Sequence, residues 1–240
     1  MRLFGKNPVI ERIKVNPRSI KKIYLQEAHP DALYIKKKAR KWGLALYVVP
    51  KSKMIKMTRH ANSQGVLAEV DDFTYLLYED LLDLAVKKKL SLLFLDELKD
   101  PQNLGAIVRS LACLGNFAIV LPKKESVEVT EAVSRVACGG ENYVHIAKVA
   151  NLSRAILEAK ERGFWIAGAV VEDGQDIYDA KFSYPVGLVV GSEQKGIRSP
   201  ILKHLDMKIT IPMKQARLSL NAAQATTIFC YEITKQKKKT

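Results

Sequence analysis

The hydrophobic positions of the first 70 residues switch repeatedly between the two-residue period of a strand and the 3.6-residue period of a helix. A short amphipathic helix is predicted at residues 7–15, with Asn7 as its N-cap and Pro8 at its first position. The other predicted elements are strands at residues 20–25, 44–49 and 64–70, and a helix at residues 30–42 that Gly43 ends. This alternation predicts a small α/β domain at residues 1–70.

From Ser91 onwards, short apolar runs alternate with helical patterns. The runs predict strands at residues 92–95, 117–121, 143–146, 164–171, 187–190 and 208–211. One of the helices is predicted to start at Asp100 and end at Gly115. The pattern is typical of a doubly wound, mostly parallel sheet with helices on both faces, which predicts a second domain at residues 90–240. Residues 71–89 are predicted to be a linker, or else the first helix of the second domain.

The positive charge of the chain, +14 in total, is concentrated near its start. The first 60 residues contain 16 Lys or Arg and 3 Asp or Glu, whereas the remainder contains 23 and 22. A basic segment before a near-neutral domain is typical of a polyanion-binding module, although a lysine-rich solvated surface is the alternative. The predicted RNA-binding residues are the basic positions of the helix at residues 30–42, with one more further along: Lys36, Lys37, Lys38, Arg40, Lys41 and Arg59.

The cysteines Cys113, Cys138 and Cys230 are widely spaced and form neither a C-x-x-C pair nor a cluster with the four histidines. We therefore expect no bound metal and no disulfide framework. The N-terminal residues lack the continuous apolar stretch of a secretory signal, and no later stretch approaches the roughly 20 apolar residues that span a bilayer. The sequence therefore predicts a cytoplasmic protein without a membrane partner.

Three segments of the second domain each follow a predicted strand, where ligand sites gather in open α/β sheets. The motif N-L-G-x-x-x-R lies at residues 103–109, G-x-E-x-x-G at 191–196, and I-P-M at 211–213 followed by S-L-N at 219–221. Each motif alone also has a structural explanation, because asparagine and serine cap helices and glycine shapes turns. Their occurrence together favours one shared crevice.

In this order the motifs resemble the three signature motifs of the SpoU family, in the superfamily of α/β-knot methyltransferases. The resemblance covers residues 90–235 closely, and residues 1–70 resemble the small substrate-binding domain of the ribosomal RNA members, notably in FGKNPVIERI and SQGVLAEV. The family commonly continues S-L-N with Val-Ser, where this chain has Ala222 and Ala223. The resemblance implies a deep trefoil knot in the second domain and S-adenosylmethionine as cofactor.

The resemblance also implies roles for individual residues. The catalytic positions are Asn103, Arg109, Glu193, Ser219 and Asn221. The cofactor-binding positions are Val190, Gly191, Ser192, Gly196, Ile211, Met213, Ser219 and Leu220. Arg109 is expected to hold the ribose and to stabilise charge on its 2'-oxygen. A literal general base is harder to reconcile with a guanidinium, which rarely gives up its proton, so that choice stays open.

The family resemblance further implies a homodimer in which the last helix contacts its partner. Apolar residues on that helix fit such an interface, or equally the core of one chain: Ile228, Phe229, Tyr231 and Ile233.

The leading interpretation is methylation of a ribose 2'-hydroxyl in structured RNA, at a guanosine of large-subunit ribosomal RNA. Ribose methylation of transfer RNA and 2'-O-methylation of a ribosomal RNA adenosine are enzyme alternatives. A non-catalytic RNA-binding ribosome-assembly factor is an alternative of another class, and the presence of all five catalytic positions argues against it.

Overall fold

The computed structural model describes residues 1–59, 62–214 and 219–238. Its first part contains strands and helices in the chain order β1 (Arg2–Phe4), α1 (Lys6–Val15), β2 (Ile20–Gln26), α2 (Ala32–Lys41), β3 (Leu46–Val49), α3 (Lys51–Thr58) and β4 (Val66–Val70). Every element predicted in this part is present, with ends that differ by a few residues. The sequence did not predict β1 and α3, because a three-residue strand and a mainly polar helix carry little hydrophobic periodicity.

These four strands form a mixed sheet in the order β1-β4-β2-β3, with β2 parallel to β3 and antiparallel to β4. The helices α1 and α2 contribute Val9, Ile13 and Ile35 to the core of this sheet. Helix α1 begins at Lys6, directly after Gly5, whose φ of 99° suits a residue without a Cβ. The prediction that Asn7 caps this helix was therefore wrong, because the turn at the glycine starts the helix earlier.

The second part of the chain alternates strands and helices, except that β8, β9 and β10 follow one another without a helix between them. Its elements are α4 (Tyr78–Lys87), β5 (Ser91–Leu95), α5 (Pro101–Leu114), β6 (Phe117–Pro122), α6 (Glu131–Ala137), β7 (His145–Val149), α7 (Leu152–Glu161), β8 (Trp165–Ala169), β9 (Gln175–Asp176), β10 (Val186–Val190), α8 (Ser199–Leu202), β11 (Met207–Thr210) and α9 (Ala222–Lys237). The six strands predicted here are present. The helix predicted at Asp100 is also present, and the Asp100 side chain caps α5 by accepting a 2.8 Å hydrogen bond from the backbone N–H of Gln102.

Seven of these strands form a parallel sheet in the order β7-β6-β5-β10-β8-β11-β9. Leu92 and Phe94 of β5 contact the apolar residues of α4 and α7. Their neighbours Leu93 and Leu95 point to the opposite face and are fully buried as well, so both faces of the sheet are covered. The predicted α/β class, with helices on both faces of a parallel sheet, is confirmed.

The chain divides into two compact units, one formed by Met1–Thr74 and Val129–Tyr143 and the other by Tyr75–Glu128 and Val144–Thr240. An excursion that includes α6 thus joins the first unit, where Glu131 Oε1 accepts a 2.8 Å hydrogen bond from the backbone N–H of Arg2. The sequence-based division into residues 1–70, 71–89 and 90–240 contains no such excursion, because contacts across more than 100 residues leave no local pattern. That division stays a prediction about domains.

Within residues 1–59, 62–214 and 219–238, no helix has both the length and the apolar character needed to cross a bilayer. The same residues contain no group of three or more His, Cys, Asp or Glu side chains placed to hold a metal ion. Cys230 is completely buried, and this burial raises the pKa of its thiol.

Candidate active site

A cavity of about 400 Å³ lies in the second unit, at the carboxyl ends of β8, β10 and β11. Residues that follow each of these strands line it, and α9 closes it with Ala222, Ala225 and Phe229. The carboxyl edge of a parallel sheet is where ligands bind in open α/β folds. Its walls are largely apolar, as is usual for a site that encloses a small organic molecule.

All eight positions predicted to bind the cofactor line this cavity: Val190, Gly191, Ser192, Gly196, Ile211, Met213, Ser219 and Leu220. They come from two segments that lie more than ten residues apart in the chain, and the fold brings them to one place. Of the predicted catalytic positions, Glu193 and Ser219 also line the cavity. Residues 215–218, which separate the two halves of the third motif, lie outside the described residues.

The segment Val190–Ile197, called the motif-two loop below, is folded tightly on itself. The backbone N–H of Gly196 donates a 2.8 Å hydrogen bond to the carbonyl oxygen of Ser192, and Gly196 has a φ of 65°. A Cβ on Gly191 would lie 2.1 Å from the carbonyl carbon of Gly196. Glycine is therefore required at position 191, because the backbone at Gly196 occupies the space that a side chain would need.

Asn103 connects the first motif to the motif-two loop. It lies in the first turn of α5 and is 91% buried, and its Nδ2 donates a hydrogen bond to Oε1 of Glu193. Because Asp100 caps this helix, the alternative explanation of Asn103 as the cap does not hold. The structure thus joins two of the predicted catalytic side chains directly.

The other predicted catalytic side chains lie in different settings. Arg109 is exposed on α5 and is not among the residues that line the cavity. Asn221 is the N-cap of α9: its Oδ1 accepts a 2.8 Å hydrogen bond from the backbone N–H of Gln224, whose side chain bonds back to the Asn221 backbone. Ser219 is exposed at the rim. The roles of these residues in the reaction stay predictions.

A charged cluster that the sequence analysis missed fixes the far end of the motif-two loop. Asp96, which directly follows β5, is fully buried, and its Oδ1 lies 2.9 Å and 2.6 Å from Nε and Nη2 of Arg198. Its Oδ2 accepts a 3.0 Å hydrogen bond from the Arg198 backbone N–H, and Glu97 lies 3.3 Å from Nη1. The side-chain hydrogen bonding that Arg198 donates to the Asp96 carboxylate raises the pKa of the Arg198 guanidinium, which favours its charged form. The sequence signal that could have indicated this cluster is the pair of adjacent acidic residues, Asp96 and Glu97, at the end of an apolar strand.

The predicted RNA-binding residues lie in the first unit. Those of α2 are solvent-exposed except for the half-buried Lys38, and Arg59 is exposed where α3 ends. Aromatic side chains lie on either side of this basic run, a feature the sequence analysis did not use: Lys38 Nζ lies 5.5 Å from the ring centroid of Tyr34, and Lys41 Nζ 5.7 Å from that of Trp42. Exposed cations beside aromatic rings suit phosphates and unpaired bases.

Comparisons with known proteins agree with this arrangement. A family model described as the SpoU rRNA Methylase family matches residues 91–231, and one described as RNA 2'-O ribose methyltransferase substrate binding matches residues 2–76. The chain belongs to the SpoU rRNA methylase family. Members of this family are S-adenosylmethionine-dependent RNA 2'-O-methyltransferases, and the chain is an enzyme of this class.

Individual relatives of this SpoU protein match over nearly their whole length. A protein of Bacillus subtilis, YacO, named as a candidate TrmH family tRNA/rRNA methyltransferase, is 34% identical over 98% of this chain and 95% of its own. The 23S rRNA (guanosine-2'-O-)-methyltransferase RlmB of Shewanella oneidensis is 32% identical over 98% of this chain and 97% of its own. The structure of the SpoU methyltransferase AviRb from Streptomyces viridochromogenes, in complex with AdoMet, superposes with a TM-score of 0.80 at 19% identity, covering 100% of this chain and 91% of that one. The fold is therefore the knotted α/β fold that the resemblance implied.

The residues present in the cavity fit S-adenosylmethionine. A volume of about 400 Å³ is within the usual range for small-molecule sites, and the absence of a side chain at Gly191 lets the motif-two loop fold tightly along the cavity wall. Apolar side chains such as Val190, Ile211 and Leu220 suit the adenine and methylene groups, and the hydroxyls of Ser192 and Ser219 suit its polar groups.

Proposed function

We propose that this SpoU enzyme methylates the 2'-hydroxyl of a guanosine in large-subunit ribosomal RNA. The observation that carries the proposal is the convergence of all eight predicted cofactor positions and Glu193 on one cavity of the second unit, with Asn103 donating a hydrogen bond to Glu193. The substrate class is supported by relatives such as RlmB of Shewanella oneidensis, which cover the whole chain, including its substrate-binding part. An enzyme of ribosomal RNA maturation is expected in the cytoplasm.

In the proposed mechanism, the cofactor supplies an activated methyl group on a sulfonium, so the protein mainly positions the reactants. Residues of the motif-two loop, together with Ile211, Met213, Ser219 and Leu220, hold the cofactor. Arg109 stabilises the negative charge that develops on the ribose 2'-oxygen and orients the ribose through its phosphate. Its exposure on α5 makes it accessible to RNA. Asn103 fixes the carboxylate of Glu193 at the cavity wall.

A homodimer is part of the proposal. In α9, Phe229 and Ile233 are buried within the chain, whereas Ile228 and Tyr231 are 39% and 59% exposed. The two exposed apolar side chains are available to a second copy, and the two buried ones are not. Cross-linking and sedimentation of the purified protein would measure this association.

Transfer RNA is the second candidate substrate, because YacO is named for both kinds of RNA. The test is transfer of a labelled methyl group from S-adenosylmethionine to unmodified ribosomal and transfer RNA in parallel, with nuclease mapping of the labelled nucleotide. Label in a 2'-O-methylguanosine of large-subunit RNA is the expected result. Label in transfer RNA alone, or in a 2'-O-methyladenosine, would overturn the assigned substrate, and no transfer to RNA in any assembly state would favour a non-catalytic factor.

The Arg109→Ala variant tests the assigned mechanism. We expect methyl transfer to fall by about 100-fold or more, as for loss of a group that stabilises a developing oxyanion, with cofactor affinity retained. Arg154→Ala is the matched control, because Arg154 is 81% exposed in the same unit and pairs only with Glu158 in the next helical turn among the described residues. Near-normal turnover in Arg109→Ala would refute its role.

A further inference from the structure

A second cavity, of about 650 Å³, lies within the first unit and has no part in the cofactor site. Three segments line it: the connection from β2 to α2, the buried side of α3, and residues 62–65 before β4, with Lys6 of α1 at its edge. Its lining is rich in amide, hydroxyl and cationic side chains, unlike the apolar cofactor cavity. We call it the Gln26–Gln64 pocket.

The two glutamines in this pocket have unused hydrogen-bonding groups. The side-chain amides of Gln26 and Gln64 make no hydrogen bond to any residue in the described part of the chain. Each amide offers two donor hydrogens and an acceptor oxygen. Two such groups facing one cavity can pair with the donor and acceptor edge of a nucleobase, which is how unpaired bases in RNA are recognised.

The backbone around the pocket is held in unusual conformations. Ala28 and Gln64 have φ values of 54° and 48°, a left-handed region that non-glycine residues rarely adopt. His29 connects their two segments: its Nδ1 accepts a 3.0 Å hydrogen bond from the backbone N–H of Asp31, so its Nε2 carries the hydrogen and donates to the carbonyl oxygen of Gln64 at 2.9 Å. The position of Gln64 is thus fixed relative to that of Gln26.

The remaining lining completes the chemistry of a nucleotide site. Ile55 of α3 is 41% exposed and offers apolar surface on which a base can rest, whereas Met54 beside it is buried in the core. Lys51 lies at the same helix start, followed by Lys53 and Lys56, and no ion pair to Lys51 occurs within residues 1–59, 62–214 and 219–238. Apolar surface for the face of a base, amides for its edge and a cation for a phosphate together suit a nucleotide.

We propose that the Gln26–Gln64 pocket binds one unpaired nucleotide of the RNA substrate, with its base edge on the two glutamine amides and its phosphate near Lys51. The pocket would give the first unit selectivity for a particular RNA loop or bulge, which the exposed lysines of α2 cannot supply because phosphate contacts carry no sequence information. The inference rests on the proposed function in that its ligand is RNA.

The test measures binding of the full chain to transcripts of large-subunit ribosomal RNA, by fluorescence anisotropy over a range of salt concentrations. Gln26→Leu keeps the size of the side chain and removes its amide, so we expect affinity to fall by about 5-fold or more without a change in salt slope, as for loss of a hydrogen-bonded base contact. Lys51→Gln should lower the salt slope, and its matched control is Lys22→Gln, which removes the same charge from β2 outside the pocket. An unchanged melting temperature shows that each variant is folded.

Ultraviolet cross-linking of the wild-type chain to the same RNA supplies a second readout. Cross-linked peptides from residues 26–31, 51–58 or 62–65 are expected. Wild-type affinity in Gln26→Leu, together with cross-links only outside these segments, would overturn the pocket while leaving methyl transfer, and thus the proposed function, intact. If the wild type neither binds nor methylates ribosomal RNA, the proposed function fails and the pocket assignment fails with it.

Discussion

Replacement of Gly191 by alanine would add a methyl group where the motif-two loop passes closest to itself. The new Cβ would lie 2.1 Å from the carbonyl carbon of Gly196, 2.2 Å from its oxygen and 2.3 Å from the backbone nitrogen of Ile197. All three are backbone atoms, so no side-chain rotation can relieve the overlap. The loop must open, which breaks the 2.8 Å hydrogen bond between Gly196 and Ser192.

The expected magnitude follows from the cost of forcing an extra carbon into a tightly packed site, about 1–3 kcal/mol. If the closed loop is the form that binds S-adenosylmethionine, this energy is subtracted from the binding free energy. At about 1.4 kcal/mol per tenfold change, cofactor affinity should fall by about 5- to 150-fold. The melting temperature should fall by several degrees.

Isothermal titration with S-adenosylmethionine, alongside thermal melting, measures both effects. Gly163→Ala is the control for the added methyl group without a backbone overlap, because Gly163 has a φ of 85° and no atom outside its chain neighbours lies within 4 Å of the added Cβ. It should cost about 1 kcal/mol of stability through backbone strain and leave cofactor affinity unchanged. Wild-type affinity in Gly191→Ala, or an equal loss in Gly163→Ala, would refute the reasoning.

Two further predictions concern charge. Asp96→Asn removes the buried charge that holds Arg198. Because the Arg198 side chain is 42% exposed, solvent screens part of this ion pair, and we expect a loss of about 1–3 kcal/mol of stability. The cofactor KM should rise with little change in kcat. The control Lys160→Gln breaks the 2.6 Å pair with Asp206 away from the cavity, so a rise in KM there as well would contradict this. Replacing Lys36, Lys37 and Lys38 by glutamine should weaken RNA binding and reduce its salt slope by up to about 0.7–0.9 for each phosphate that the lysines neutralise in the wild type, and an unchanged slope would exclude α2 as an RNA surface.

The fold could be predicted from the sequence where the composition of a segment shows that the segment is buried. The strands β5, β6 and β10 consist of buried residues throughout, and a run such as Leu92–Leu95 can satisfy that only inside a sheet covered on both faces. The sheet order was not predictable in this way. That β10 lies between β5 and β8 depends on pairing between distant segments, and the same is true of the return of α6 to the first unit.

The cofactor positions could be predicted because the motifs concentrate glycines and small polar residues after buried strands. The pair of Asp96 and Arg198 could not, because 102 residues separate them and the acidic residues after β5 do not indicate which cation they bind. The aromatic residues among the lysines of α2 were visible in the sequence, but only the structure shows that Tyr34 and Trp42 are exposed beside their cations.

Hydrogen bonds and an ion pair join the segment that leads into the first motif, together with Asn103 of that motif, to the motif-two loop and Arg198. The backbone N–H of Asp96 donates a 2.8 Å hydrogen bond to the carbonyl oxygen of Val190, at the start of the motif-two loop. Asn103 donates to Glu193 in the middle of the loop, and Asp96 binds Arg198 directly after its end. The segment from the end of β5 to the first turn of α5 therefore holds the loop at three points. Within itself the loop is closed by short-range bonds such as that between Ser192 and Gly196. Its shape therefore depends on Asp96 and on Asn103 of the first motif as well as on its own glycines. Asp96 and Asn103 contribute no cavity-lining atoms. Because they hold the loop that lines the cofactor cavity, a substitution at either residue should weaken cofactor binding more than RNA binding.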